Sequence, residues 1–381
     1  MLAILHILTV IFLGFPIFIF GLYGIILLYF NKRGMKEGSE ENGKFEPDVS
    51  VIVPTHNEEL IISRKINNLL HLDYPKEKLE IIFVDDSDDS TPTVIREYSK
   101  KHPNIRLISF PERMGYSPSM VAGCKAAKAE IIVLTEAPAL LDKQAIRNLV
   151  RHFRKPNIGA VTGRSIILNE DEEVGKSEKL YLNIANFVRT AETSMDSTFY
   201  FKGEASAVRK ELTKDLEWCK GTFDTAVALN ARQKGYKAIY DQEVKFYEYA
   251  PLTHSGRVQQ KVIRAANWIK ILFRFRNMIF KRKYGKFGFI ILPMQIAMLI
   301  IAPFSIFMGV MLLFVSIFFD LTFSCIIWII LGSLFLSSLI FSKHFAITFL
   351  ESEYSLLKAL YQIIFTKREH DKIEKVISTR R

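Results

Sequence analysis

Three stretches without a charged side chain constrain this chain more than anything else in it. From Met1 to Asn31, from Phe287 to Phe319 and from Leu321 to Ser342 there is no Asp, Glu, Lys or Arg, and only Asp320 separates the last two. A helix of about 20 apolar residues crosses a hydrocarbon core about 30 Å thick, and each stretch is long enough. The chain of 381 residues therefore predicts a membrane helix at 1–30 and a hairpin of two membrane helices at 287–342. The first run carries no early Lys or Arg and exceeds the apolar core of a signal peptide, which argues for a retained span. Lys32, Arg33 and Lys36 follow it, Arg276 to Lys286 precede the second span, and Lys343, Lys358, Lys367 and Arg368 follow the third. With three spans all of these lie on one side. The positive-inside rule then makes a multi-pass cell-membrane protein whose central part is cytoplasmic.

The net charge of +11 has a single main source: between Glu248 and Asp320 there is no acidic residue, while ten basic ones fall between Arg257 and Lys286. Beside a membrane span, such a patch fits anionic lipid better than nucleic acid, which is not expected as a partner. Val258, Val262, Ala265, Ile269 and Leu272 recur at helical spacing, with Arg257, Lys261 and Arg264 on another face. This predicts a basic amphipathic helix lying in the interface over 257–284. A weaker amphipathic pattern occupies the C-terminal cytoplasmic segment, 343–381. Cys124, Cys219 and Cys325 are odd in number and far apart, as in a reducing compartment.

Between the membrane segments, residues 31–48 read as a polar linker and 49–256 as one domain. Short apolar runs at 49–54, 79–86, 105–110 and 130–136 alternate with helical patterns at 58–72, 91–102, 117–128 and 143–154. That alternation predicts an α/β fold with a mostly parallel sheet, Rossmann-like in its order. Strands at 158–168, 199–209 and 237–248, and helices at 176–195 and 222–235, complete the reading.

The first strand ends in "PTHNEE", the second in "VDDSDDST" and the fourth in "TEAP". Carboxyl ends of parallel strands converge on one crevice, so Asp85, Asp86 and Glu136 should meet there. Carboxylates so close repel one another unless hydrogen-bond donors or a cation sit among them. No glycine-rich dinucleotide or P-loop signature follows the first strand. His56 and His254 lack a paired metal spacing, and Cys124 reads as packed against the sheet.

Taken in order, "VSVIVPTHNEE", "IIFVDDSDDST", "RMGYSPSMVAG", "EIIVLTEA", "KGEASAVRK", "FDTAVALNARQKGYKAIY" and "KFYEYAP" resemble the membrane-bound family 2 glycosyltransferases of the GT-A fold, from Val49 to about Trp268. The resemblance implies a cytoplasmic GT-A domain, with three transmembrane helices and amphipathic interfacial helices around it. It implies that Thr55, Glu58, Asp85 and Asp86 bind the nucleotide sugar, and that Glu136 holds a divalent cation, Mg²⁺ or Mn²⁺, as the first acid of the DxD motif. Asp224 would be the catalytic base. Gly203, Glu204 and Trp268 would line the acceptor site, and Arg264 would meet the diphosphate.

Three positions depart from the pattern. The DxD motif reads Glu136-Ala137-Pro138, Tyr116 replaces the lysine of the RxGK stretch, and the QxxRW motif is blurred into "RVQQKVIRAANW". A single Glu can still hold a cation that shares phosphate oxygens. Alternatively Arg264 or Lys261 supplies the positive charge, or activity is lost. The leading expectation is an inverting transferase that moves a sugar from a nucleotide donor to a lipid-linked or glycan acceptor at the cytoplasmic face. Membrane lipids are its surroundings, and assembly into a homo-oligomer stays open. The alternative is a catalytically silent homologue that binds nucleotide sugar or a partner enzyme.

Overall fold

The computed structural model describes residues 1–32, 45–214, 216, 218, 219 and 221–365. Most of the expected linker, and the segment beyond Phe365 with Lys367 and Arg368, lie outside the described residues. Eight strands form one sheet: β1 (Val49–Thr55), β2 (Leu79–Asp85), β3 (Ile105–Ser109), β4 (Ile131–Leu134), β5 (Leu140–Leu141), β6 (Ile158–Ile167), β7 (Ser206–Arg209) and β8 (Lys237–Glu248), in the order β3-β2-β1-β4-β7-β6-β8-β5. The first four are mutually parallel, as their continuous apolar runs predict, and β7 runs antiparallel to both β4 and β6. Register places Thr55 beside Asp85 and Ile52 beside Leu134, so the ends of β1, β2 and β4 open onto one edge.

Helices α2 (Ile62–Leu70), α3 (Thr91–Lys101), α4 (Tyr116–Ala126), α5 (Ala145–Val150), α6 (Glu173–Met195) and α7 (Phe223–Gln233) cover the sheet. One core, around Val51, Val53, Ile81 and Phe83, lies on one face; the other, around Ile52, Ile82, Leu134 and Cys124, lies on the opposite face. The alternation of neighbouring residues between two cores is what a strand buried on both sides requires.

Residues 199–205 do not continue the expected strand at 199–209. Lys202 N donates to Thr162 Oγ1 at 3.1 Å, and the Lys202 carbonyl accepts from Ser206 Oγ at 2.6 Å and from Ala205 N at 3.3 Å. Side-chain bonds compete here with the ladder and fold the chain into a turn that projects Gly203 and Glu204.

Three helices are long and apolar enough to cross a membrane: α1 (Leu2–Lys32), the rod Phe287–Ser316, and α11 (Leu321–Phe365). The rod contains α9 (Leu292–Ile296) and α10 (Ala302–Ser316), each preceded by a π-turn and each carrying a proline in its first turn. Extra-residue turns of this kind accommodate the missing proline N–H. Within α11 only Ser342 leaves the helical region, at φ −164° and ψ 98°, where the third apolar run ends.

Helix α8 (His254–Arg274) starts on a Thr253 cap whose Oγ1 accepts from Gly256 N at 3.1 Å. Its apolar stripe is buried at Val262, Ala265, Ile269 and Leu272, but its first basic residues do not face outward as a lipid-facing helix would require. Arg257 is 1% exposed; its guanidinium donates to Glu178 Oε2 at 2.8 Å and to Glu351. Lys261 Nζ reaches Ser352 Oγ at 3.1 Å. Here α8 packs between α6 and the part of α11 beyond Ser342, and both bring carboxylates that outcompete water for these cations. Lys270, Arg274, Arg276, Lys281, Arg282, Lys283 and Lys286 remain exposed.

Candidate functional site

The loops after β1 and β2 are zipped together by the polar residues at their tips. Thr55 Oγ1 and Ser87 Oγ each donate to Asp85 Oδ1 at 2.7 Å, and Asp85 is fully buried. Asp86 Oδ2 accepts from the backbone N–H groups of Met114 and Gly115 at 2.7 and 3.0 Å, and His56 Nδ1 lies 2.9 Å from its Oδ1. Gly115 takes φ +86° to present that N–H, a conformation glycine adopts at no steric cost. Glu58 N donates to Thr91 Oγ1 at 2.9 Å. Protein donors therefore sit among the carboxylates of this end. Asp85 supports Thr55 and the turn, while Asp86 fixes the start of α4.

At the neighbouring end of β4 the TEAP turn is braced from beneath. Lys65 on α2 is fully buried and donates from Nζ to Thr135 Oγ1 at 2.7 Å and to the Ala139 carbonyl at 2.6 Å. Thr135 Oγ1 in turn donates to the Glu204 carbonyl at 2.8 Å. Burial pulls the Lys65 pKa down to about 7, opposed by the nearby Glu136. An isolated lysine on an amphipathic helix reads as a solvated residue, so nothing in the sequence marks Lys65. Its partners lie 70 and 74 residues away.

Glu136, Gly203, Glu204 and Asp224 come together around Tyr116, and Arg264 acts on Asp224 and Glu204. A Cβ on Gly203 would stand 2.3 Å from Tyr116 Oη and 3.1 Å from Glu136 Oε1, so only glycine fits between them. Asp224 stands in the first turn of α7, whose N-cap residue Thr222 makes no side-chain cap bond, and its carboxyl is pushed up to about 7 by burial and then by Glu204. Arg264 is pulled down by burial but raised further by Glu204 and Glu248, so it stays a cation. Lys202 and Glu248, which the motifs do not single out as site residues, pair at 2.8 Å beneath Glu204.

One turn beyond Arg264, Trp268 meets Tyr200 edge-on at 4.7 Å. It walls a cavity of about 110 Å³ with Arg264, Gln260, Tyr181, Leu299 and Leu356, and a neighbouring one of about 150 Å³ with Tyr200 and Gln295. The crevice thus meets the candidate membrane spans at an aromatic wall. Among the described residues no group of three or more His, Cys, Asp or Glu is placed to hold a metal ion. Glu136, with the Lys65 cation close behind it, fits a divalent ion only as one carboxylate supplementing a ligand's phosphate oxygens.

Residues 50–217 match the model of "Glycosyl transferase family 2". Poly-beta-1,6-N-acetyl-D-glucosamine synthase of Staphylococcus epidermidis is 25% identical over 231 residues, which is 59% of this chain and 56% of that protein. The synthase of the same name from Staphylococcus aureus (strain COL) is 25% identical over 283 residues, 71% of this chain and 68% of that one. This chain thus spans little more than half the length of the first of these relatives. Among solved structures, the mannosyltransferase PcManGT from Pyrobaculum calidifontis, in complex with GDP-Man and Mn²⁺, superposes with a TM-score of 0.78 at 24% identity, covering 97% of this chain and all of that one. Residues 50–217 are thus similar to glycosyl transferase family 2, and the chain has the GT-A fold.

Proposed function

We propose that this chain is a membrane-integral inverting glycosyltransferase, with a nucleotide-sugar donor and a lipid-linked or glycan acceptor at the cytoplasmic face. The observation that carries the reading is Asp224: a half-buried carboxyl, poised near neutrality by desolvation and Glu204, inside a crevice that also holds Glu136 and Arg264. A general base works best when its pKa lies near the operating pH. Asp224 takes the proton of the acceptor hydroxyl as its oxygen bonds to the anomeric carbon. The bond from that carbon to the phosphate oxygen breaks on the opposite face, and the nucleoside diphosphate leaves with the electron pair. Arg264 offsets the charge that develops on it. Thr55, Glu58 and Asp86 form the nucleotide end, with Asp85 holding Thr55 in place. Gly203, Glu204 and Trp268 form the acceptor end.

Mg²⁺ or Mn²⁺ would be held by Glu136 together with the donor's phosphates, where it would stabilise the leaving diphosphate. PcManGT, which was solved with GDP-Man and Mn²⁺, supports this assignment, and the polysaccharide synthases support a growing glycan as acceptor. The basic residues around the three candidate spans support a cytoplasmic catalytic domain. One observation favours the silent-homologue reading: the single carboxylate at the metal position has a buried lysine behind it.

Nucleoside diphosphate release from UDP-, GDP- and dTDP-sugars, by protein in nanodiscs with membrane lipid extract as acceptor, separates the two. Release should fall at least about 10²-fold in Asp224→Asn. Donor binding without any release by the parent protein would establish the silent homologue instead.

A further inference from the structure

Tyr116 opens α4 at the position where the family's RxGK stretch carries lysine. Its hydroxyl oxygen is buried and has no hydrogen-bond partner among the described protein groups. The missing side chain of Gly203 leaves it room, and Glu136 Oε1 borders the same point. A phenol hydroxyl offers one O–H donor as well as acceptor lone pairs, so the group can both give and take a hydrogen bond there. A buried donor left unmade is costly, and such groups persist in folds where a ligand completes them.

The surroundings select the ligand. A phosphate oxygen at this point would enter among three carboxylates, each repelling it at short range in a poorly screened site. A cation would be welcome to the carboxylates but accepts no hydrogen bond. A sugar hydroxyl is neutral, accepts from the phenol with one lone pair and donates its own proton to a carboxylate beside it.

We propose that Tyr116 is a specificity-determining residue that reads a hydroxyl of the donor's neutral hexose. The position thereby serves sugar recognition, where a lysine would serve the diphosphate. This rests on the reading of the chain as a binder of nucleotide sugars. It also excludes a class of donor: a uronic acid would bring a fourth carboxylate to the same point.

The test uses the full chain in nanodiscs and calorimetric titration with nucleotide hexoses, their uronic-acid counterparts and the free nucleoside diphosphates. For the best-binding hexose donor, Tyr116→Phe should weaken affinity about 10-fold while affinity for the matching nucleoside diphosphate stays within about twofold. Its melting temperature should not fall, since the variant deletes only an unsatisfied hydroxyl. Tyr116→Lys should tighten the free diphosphate without restoring the sugar's contribution, and the uronic-acid donor should bind the unmodified protein at least about 10-fold more weakly than the hexose. Equal weakening of donor and diphosphate in Tyr116→Phe, or no weakening of either, overturns the proposal and leaves the nucleotide-sugar reading standing. Failure of the unmodified protein to bind any nucleotide sugar overturns both.

Discussion

Asp224 sits where the fold makes a negative charge expensive, and two consequences follow with opposite signs. Its carboxyl, ordinarily ionised above pH 4, titrates at about 7 because of burial and Glu204. A base must be ionised to act, so the rate of transfer should climb with pH through a limb centred near 7, measured as initial rates between pH 5.5 and 8.5. Stability runs the other way. A carboxyl whose folded pKa is raised contributes stability in acid that is lost as pH rises through about 7. Asp224→Asn, always neutral, should therefore be inactive yet melt about 3–8 °C higher than the parent at pH 8, with the gap closing towards pH 4. A variant that melts lower at pH 8 would remove the burial argument. Glu136 could be picked from the sequence because it closes an apolar strand, and Asp224 and Glu204 because the ordered motifs around them resemble a known family. Lys65 and Tyr116 could not be given their roles that way: one is buried by contacts far along the chain, the other is defined by the gap at Gly203.

Among the helices, α6 does what its amphipathic pattern alone does not reveal. Glu192, near its end, is fully buried and accepts from Tyr23 Oη of α1, from Gln295 Nε2 of the second candidate span and from Thr198 Oγ1, each at 2.6 Å. Burial raises its pKa despite these bonds. Three residues earlier, Arg189 is buried against the rings of Tyr200 and Tyr240, 4.9 and 4.7 Å from their centroids. One carboxylate thus ties two apolar helices to the sheet domain. Glu192→Ala strands three donors at once and should cost about 3 kcal/mol or more, whereas Tyr23→Phe should cost about 1 kcal/mol, both read from denaturant unfolding in detergent. Similar losses in the two variants would show that the carboxylate is not the shared node. The helices and parallel strands were legible because their periodicities are local. The turn at 199–205 was not, because it depends on Thr162 from a strand about 40 residues away.

For the molecule as a whole, charge was legible as an amount and not as an arrangement. The segment from Arg257 to Lys286 holds most of the excess positive charge, and its later residues do stand exposed beside the spans. Its first three basic residues turn inward because Glu178 and Glu351, 79 and 94 residues from Arg257, come to meet it. No composition or spacing encodes such a meeting. Arg257→Met leaves both carboxylates short of a partner in a buried place and should destabilise the protein by about 3–5 kcal/mol. The comparison to make is with Lys283→Met, a change at the exposed end, which should fall within about 0.5 kcal/mol. Equal effects would mean that the inward cluster carries no special weight.

Ser342 gives this arrangement a mechanical side. Up to it, α11 is a candidate membrane span with little of its surface covered; beyond it, the same helix supplies Ser352, Ser355 and Leu356 to the cavity walled by Trp268. A helix that tilts to match bilayer thickness therefore has one soft joint between itself and the crevice. Whatever rotation that joint does not absorb arrives at Arg264 and Trp268, so on the proposed function the lipid's thickness becomes an input to the geometry of sugar transfer.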